Sequence, residues 1–226
     1  MQRLHNLKEK LYGKWVKKST PKLAKLRLKR IQNRDFSIIC NNCWGGYVYR
    51  RYGLPYASPT VGLYFFAEEY LKFCNNLKLY LETPLTFIRW QDSKYSTALE
   101  GKNQTACPIG KLGDVEIVFL HFKTEEEAKD KWERRSARVN FNNLIYKFSQ
   151  MNLCTMEHLK AFDALDVTKK FVFVSGKQKS IRSAIRVSSE DEISDDTTFY
   201  DSYINIKRLI NCKECCGKPG KIRGKL

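Results

Sequence analysis

FSIICNNCWGG, residues Phe36 to Gly46, is the stretch on which the fold turns. Phe36 to Cys40 is a short apolar run halted by Asn41-Asn42, the signature of a buried strand. What comes next has three readings. Cys40 and Cys43 stand at metal-ligand spacing. Cys43-Trp44 completes the C-x-x-C-W pattern found around papain-like nucleophiles. The Asn and Gly pairs also suit a strand end that opens into a binding loop.

Downstream, GGYVYRRYGLPYASPTVG reads as a loop rich in Gly, Tyr and Pro that ends near Gly62. From about Leu63 the pattern turns helical, with Phe66, Tyr70, Phe73 and Leu77 recurring on one face until Pro84 closes it. LTFIRW (85–90) is a second strand, residues 91–107 a polar surface loop, and PIGKLGD (108–114) a glycine turn. VEIVFLHF (115–122) is the clearest strand in the chain. Thr124 and Glu127 form a capping box ahead of a helix that opens on Glu125 to Glu127 and ends near Arg134, Arg135 and Arg138. NNLIYKF (142–148) has the composition of a strand. Thr155 caps a further helix that buries Leu159, Phe162 and Leu165, and KKFVFVSG (169–176) is a strand. The acidic run over residues 189–196 reads as a solvated loop and FYDSYINIKRLIN (199–211) as a last helix.

Strands alternating with helices predict an α/β fold, a single domain with a mainly parallel sheet flanked by helices. At 226 residues the chain is long enough for one such core. Ligands of parallel sheets bind beyond the carboxyl ends of the strands. If all the strands are parallel, that rim presents Asn41, Asn42 and Cys43 from the first strand, His121 from the third and Ser175 from the last.

The net charge is +17, and much of it is terminal. Basic residues run from Arg3 to Arg34 against Glu9 alone, with Leu4, Leu7, Leu11 and Trp15 at near-helical spacing. The expected organisation is a basic amphipathic helical arm over residues 1–34, an α/β domain over 35–211 and a basic, Cys-containing tail over 212–226. An arm of this kind predicts peripheral contact with an anionic membrane surface. No apolar run approaches the roughly 18–20 residues of a membrane-spanning helix, and the N-terminus has no leader-type core. The location expected is therefore cytoplasmic, at the inner membrane face. The eight cysteines, scattered over a core-forming chain, read as reduced thiols.

Each chemical motif has a bland counterpart. Cys40, Cys43, Cys212 and Cys215 amount to a set of four thiolates, but one pair starts inside a strand and the other sits in the tail, so no metal is expected. The protease reading needs a thiolate at a helix N-terminus with a histidine base, and His121 and His158 lack that family's flanks. Cys43 stays open as another kind of nucleophile, with His121 as base. GKQKS (176–180) is not a phosphate-binding P-loop, and no cofactor is expected. Arg134, Arg135 and Arg138 can stabilise an anionic leaving group, or simply pair with carboxylates such as Asp130. Aromatics lie in apolar runs rather than among exposed cations, and no nucleic-acid motif appears, so polynucleotide binding through the arms is the weakest reading.

NNCWGG, SPTVGLYF, EEYLKFCNNLKLYL, PIGKLGDVEIVFLHFKTEEEAKDKWERRSARVN, TMEHLKAFDAL and KKFVFVSG, in that order, resemble a family of uncharacterised bacterial proteins. Its members often sit in capsule and exopolysaccharide gene clusters, and some carry names such as exopolysaccharide biosynthesis protein or putative acetyltransferase. The resemblance spans about residues 35–211. It implies an α/β fold and a polysaccharide context, with no established reaction. Where the family has serine before Asn41 this chain has Cys40, which weakens a paired-cysteine role. The resulting expectation is a metal-independent glycosyl- or acyltransferase of surface-polysaccharide assembly, acting on a nucleotide-sugar or acyl donor and a glycan acceptor. Asn41, Asn42 and Trp44 would position the sugar, His121 would be the base, and the three arginines would hold the leaving group. Asp114 either orients that site or only caps its turn. The alternative is a non-catalytic glycan-binding or scaffold protein of the same pathway.

Overall fold

Ser37–Cys40 forms β1, and all four of its residues are buried. The protein is described by a computed structural model over residues 23–188, Ile193, Asp196 and residues 204–212. The expected amphipathic arm lies outside these residues up to position 22, as does the tail from 213 onward, whereas residues 23–28 are helical.

β1 is the edge of a four-stranded sheet in the order β1-β5-β6-β7, with β5 at Leu144–Ser149, β6 at Lys170–Ser175 and β7 at Ala184–Ser188. All of its pairings are parallel. The expected architecture is therefore present: a mixed α/β domain whose main sheet is parallel and flanked by helices. Tyr146, Phe148, Val172 and Val174 face α2 (Ala67–Asn75) and α6 (Met156–Ala164). The alternate residues Ile145, Phe171, Phe173 and Ile185 face α1 (Trp44–Tyr52) and α7 (Ile206–Asn211).

Helix α1 replaces the loop expected after Cys43. Two consecutive glycines disfavour a helix by about 1 kcal/mol each, but Trp44, Val48 and Tyr49 are wholly buried on the sheet. Burying large apolar side chains is worth about 1.5–3 kcal/mol apiece, which settles the balance. The glycines serve close approach instead. A Cβ at Gly46 would stand 2.8 Å from Val61 Cγ1, and one at Gly45 would stand 3.2 Å from Cys40 Sγ.

The strands read from LTFIRW and VEIVFLHF do not join the parallel sheet. Thr86–Ile88 (β2), Ile109–Leu112 (β3) and Val115–Val118 (β4) form a separate antiparallel sheet. The supposed glycine turn is largely β3, with Gly113, at φ 60°, and Asp114 making the reversal. The polar loop expected over 91–107 is entered through a 3-10 turn at Trp90–Asp92 and contains α4 at Ser96–Gly101. The helix expected from Leu63 begins at Ala67 and breaks at Asn76 before α3 (Leu77–Glu82). Residues 61–66 instead run as a strap that ties the two sheets together. Phe65 N donates to Asn41 O at the end of β1 (3.0 Å), and Tyr64 bridges Val118 of β4.

The Thr124 hydroxyl accepts from Glu127 N (3.1 Å) at the start of α5 (Glu125–Ser136). At α6 the Thr155 N–H donates to His158 Nδ1 (3.0 Å), so this histidine is a helix cap. Cys40, Cys43, Cys74 and Cys107 are free thiols. Cys212 departs from the expected reduced state, being disulfide-bonded. Among the described residues, no helix is long and apolar enough to cross a membrane.

Candidate functional site

The carboxyl ends of β1 and β5 carry a buried polar network at the place where parallel sheets bind ligands. Strand β5 places Lys147 and Ser149 on the face that packs α1, because successive side chains alternate across a strand. Lys147 is fully buried, its ammonium 5.8 Å from the Trp44 ring centre and 5.3 Å from that of Phe173. A charge in such surroundings must be paired. Lys147 Nζ donates to Asn42 Oδ1 (3.0 Å) and forms an ion pair with Asp196. Ser149 Oγ also donates to the Asp196 carboxylate, and Asn42 Nδ2 lies 3.0 Å from each of its oxygens.

The asparagines expected to face a ligand have different tasks here. Asn41 is buried and clamps the strand beside it, with Nδ2 donating to Ser149 O (3.1 Å) and Oδ1 accepting from Ser149 N (3.0 Å). Asn42 belongs to the polar network, and its Oδ1 accepts the Trp44 backbone N–H (3.2 Å) at the opening of α1. Trp44 is not exposed at a crevice mouth. Its ring is buried edge-on against Phe171 and Phe173, and its indole N–H has no acceptor among the described residues. Sugar stacking on Trp44 is thus replaced by core packing.

Cys43 sits at a helix N-terminus, where the sequence predicts a loop. The thiol nevertheless faces Leu63 O (3.7 Å), and burial pushes its pKa up to about 11. Cys40, wholly enclosed, is pushed up to about 12 by burial. Neither is a thiolate at neutral pH, and reactive cysteines are thiolates.

His121 is exposed in a turn beyond β4, with its N–H on Gly62 O (2.9 Å). It reaches the parallel rim only through the strap, since β4 belongs to the other sheet. Ser175, at the end of β6, is on the rim: its N–H (3.0 Å) and Oγ (3.2 Å) both meet Gln150 Oε1. Asp114 stands in the β3–β4 turn, at the far end of β4 from the strap, where Tyr80 Oη donates to it (2.8 Å) and lowers its pKa.

The three arginines diverge. Arg134 is exposed and reaches Asp130 (3.3 Å), the local pairing foreseen as its alternative. Arg138 is exposed. Arg135 is half-buried over Tyr56 (5.0 Å) and Phe122 (5.8 Å) and donates to Val61 O (2.6 Å), which makes it a brace for the strap. Burial lowers its pKa.

Lys147, Ser149 and Asp196 escaped the sequence reading. Lys147 was legible in part: a lysine inside an apolar run that forms a central strand must be buried. Asp196 lies in an acidic run whose composition resembles any solvated loop. Of that run the described Ile193 and Asp196 are buried, and Ile193 N donates to Gln150 O (3.4 Å).

A concavity of about 500 Å³ lies between the end of β2 and the start of α5. Arg89, Trp90, Gln91, Cys107, Lys123 and Thr124 are among its lining residues. A half-exposed indole among amide and cationic side chains is suited to the apolar face and hydroxyls of a saccharide.

Residues 15–213 match the family described as Domain of unknown function (DUF1919), and the chain belongs to that family. The match begins within the basic N-terminal segment. An uncharacterized protein of Haemophilus influenzae is similar at 30% identity over 156 residues, which cover 69% of this chain and 69% of that protein.

Proposed function

We propose that this DUF1919 protein is a metal-independent transferase of surface-polysaccharide assembly, moving a glycosyl or acyl group onto a sugar acceptor. The observation that carries the reading is the buried Asn42–Lys147–Ser149–Asp196 network at the carboxyl ends of β1 and β5. Polar and charged side chains held in a water-excluded place act strongly on charge that develops nearby. The donor binds at this rim. The groove at Trp90 takes the glycan acceptor, and His121, which follows β4 and is exposed, is the candidate base.

The capsule or exopolysaccharide setting rests on the resemblance of the motifs quoted above. Residues 1–34 add basic charge that would draw the protein to anionic lipid at the inner membrane face.

The test is turnover. Purified full-length protein is incubated with panels of nucleotide-sugars and acyl donors and with glycan acceptors, and products are read by mass spectrometry. Transfer that His121→Ala abolishes, while ligand binding persists, supports the enzyme. Glycan binding without turnover for any donor overturns it in favour of a binding or scaffold protein.

A further inference from the structure

We infer that the Asp196 carboxylate occupies an anion site built by Lys147, Ser149 and Asn42, and that a phosphate group of a ligand competes with it there. An ammonium, a hydroxyl and an amide N–H converge on one carboxylate. All are donors that a phosphate oxygen satisfies equally well. Three come from the ends of β1 and β5, elements fixed by the sheet. The anion comes from outside the sheet, 49 residues beyond Lys147.

Two further observations point to a ligand. Among the described residues the buried Trp44 indole N–H has no acceptor, and its ring lies 5.8 Å from the Lys147 ammonium. Buried donors are nearly always paired, so an orphan beside a cation is a place for another acceptor. The nine-residue α1 also begins here, and its N-terminal N–H groups favour negative charge. Stability alone gives little reason for the pair, because apolar residues of similar volume often do as well as a buried ion pair.

The inference rests on reading this rim as the ligand site, but on no particular transfer reaction. Diphosphate is the apt probe, since nucleotide-linked donors and lipid-linked carriers both present it.

Inorganic pyrophosphate is titrated calorimetrically into the full-length protein, Asp196→Asn and Lys147→Gln. With the internal carboxylate neutralised, Asp196→Asn binds at least about tenfold more tightly than the wild type, and Lys147→Gln at least about tenfold more weakly. Equal affinities, or no binding to any of the three, overturn the inference. A nucleoside diphosphate and a short-chain prenyl diphosphate run in parallel separate the two sources. Either one binding more tightly than pyrophosphate supports the site, and failure of both to compete with pyrophosphate overturns it.

Should Asp196→Asn not fold, the wild type is treated with pyridoxal phosphate and borohydride, and the modified lysines are mapped. Modification of Lys147 that pyrophosphate suppresses supports the site. An unmodified Lys147, or modification indifferent to pyrophosphate, overturns it. Pyrophosphate binding through Lys147 without turnover would leave this inference standing and remove the transferase. Turnover with no anion dependence on Lys147 would do the reverse.

Discussion

The ammonium of Lys147 is paired with the carboxylate of Asp196, 49 residues further along the chain, and both side chains are closed off from solvent. Removing either partner leaves the other charge buried alone. Lys147→Met and Asp196→Leu are each expected to cost about 3–5 kcal/mol, whereas the double variant loses far less than their sum. Urea denaturation of the four proteins of this cycle measures the coupling. Additive losses would show that the pair is not a unit.

Gly46 is placed by steric need, since its missing Cβ would meet Val61 Cγ1 at 2.8 Å. Gly46→Ala gains about 1 kcal/mol of helix propensity and loses about 1–3 kcal/mol to overpacking, so a net loss is expected. Gly45→Ala, facing the Cys40 sulfur at 3.2 Å, should be close to neutral. Thermal melts of both variants decide, and a stabilised Gly46→Ala would refute this account of α1.

Leu153 is 57% exposed and holds φ at 62°, in the loop that leaves the carboxyl end of β5. A left-handed conformation costs a residue with a Cβ about 1–2 kcal/mol, while glycine adds about 0.5–1 kcal/mol of unfolded-state entropy. Leu153→Gly is therefore expected to be stabilising, by up to about 1.5 kcal/mol. A lowered melting temperature would mean that the leucine makes up for its backbone by packing.

The Cys43 thiol has its pKa raised from 9.0 to about 11 by burial. Below pH 9 the thiol is protonated in folded and unfolded chains alike, and its contribution to stability is complete. Above pH 9 the unfolded chain releases the proton first, so stability falls until the folded thiol ionises near 11. Two pH units correspond to about 3 kcal/mol. Denaturant midpoints between pH 8 and 11 should fall more steeply for the wild type than for Cys43→Ala. Parallel slopes would count against a buried thiol here.

Much of the fold was legible. The apolar runs at 36–40 and 169–176 are strands of the parallel sheet, and Tyr70 and Phe73 lie on the buried face of α2 as their spacing predicts. Both Thr124 and Thr155 cap helices as read. The failures share one cause: a local pattern does not say what it packs against. Gly45-Gly46 reads as a turn until β1 and the strap are known to press on it. VEIVFLHF has the same alternation whether its neighbours run parallel or antiparallel, so His121 was assigned to the wrong sheet.

The site divides in the same way. By itself the sequence determined that Asn41, Asn42 and Ser175 would reach the carboxyl rim, because strand ends follow from local apolar pattern and chain direction. The burial of Lys147 follows only from the sheet order, which makes β5 a central strand covered on both faces. Only the tertiary structure decided that Trp44 would be core and that Arg135 would brace the strap. The same holds for Asp196, which closes on Lys147 and Ser149. Those outcomes depend on which distant groups come to share a low-dielectric space. There a charge is held by its partner rather than by its neighbours in sequence.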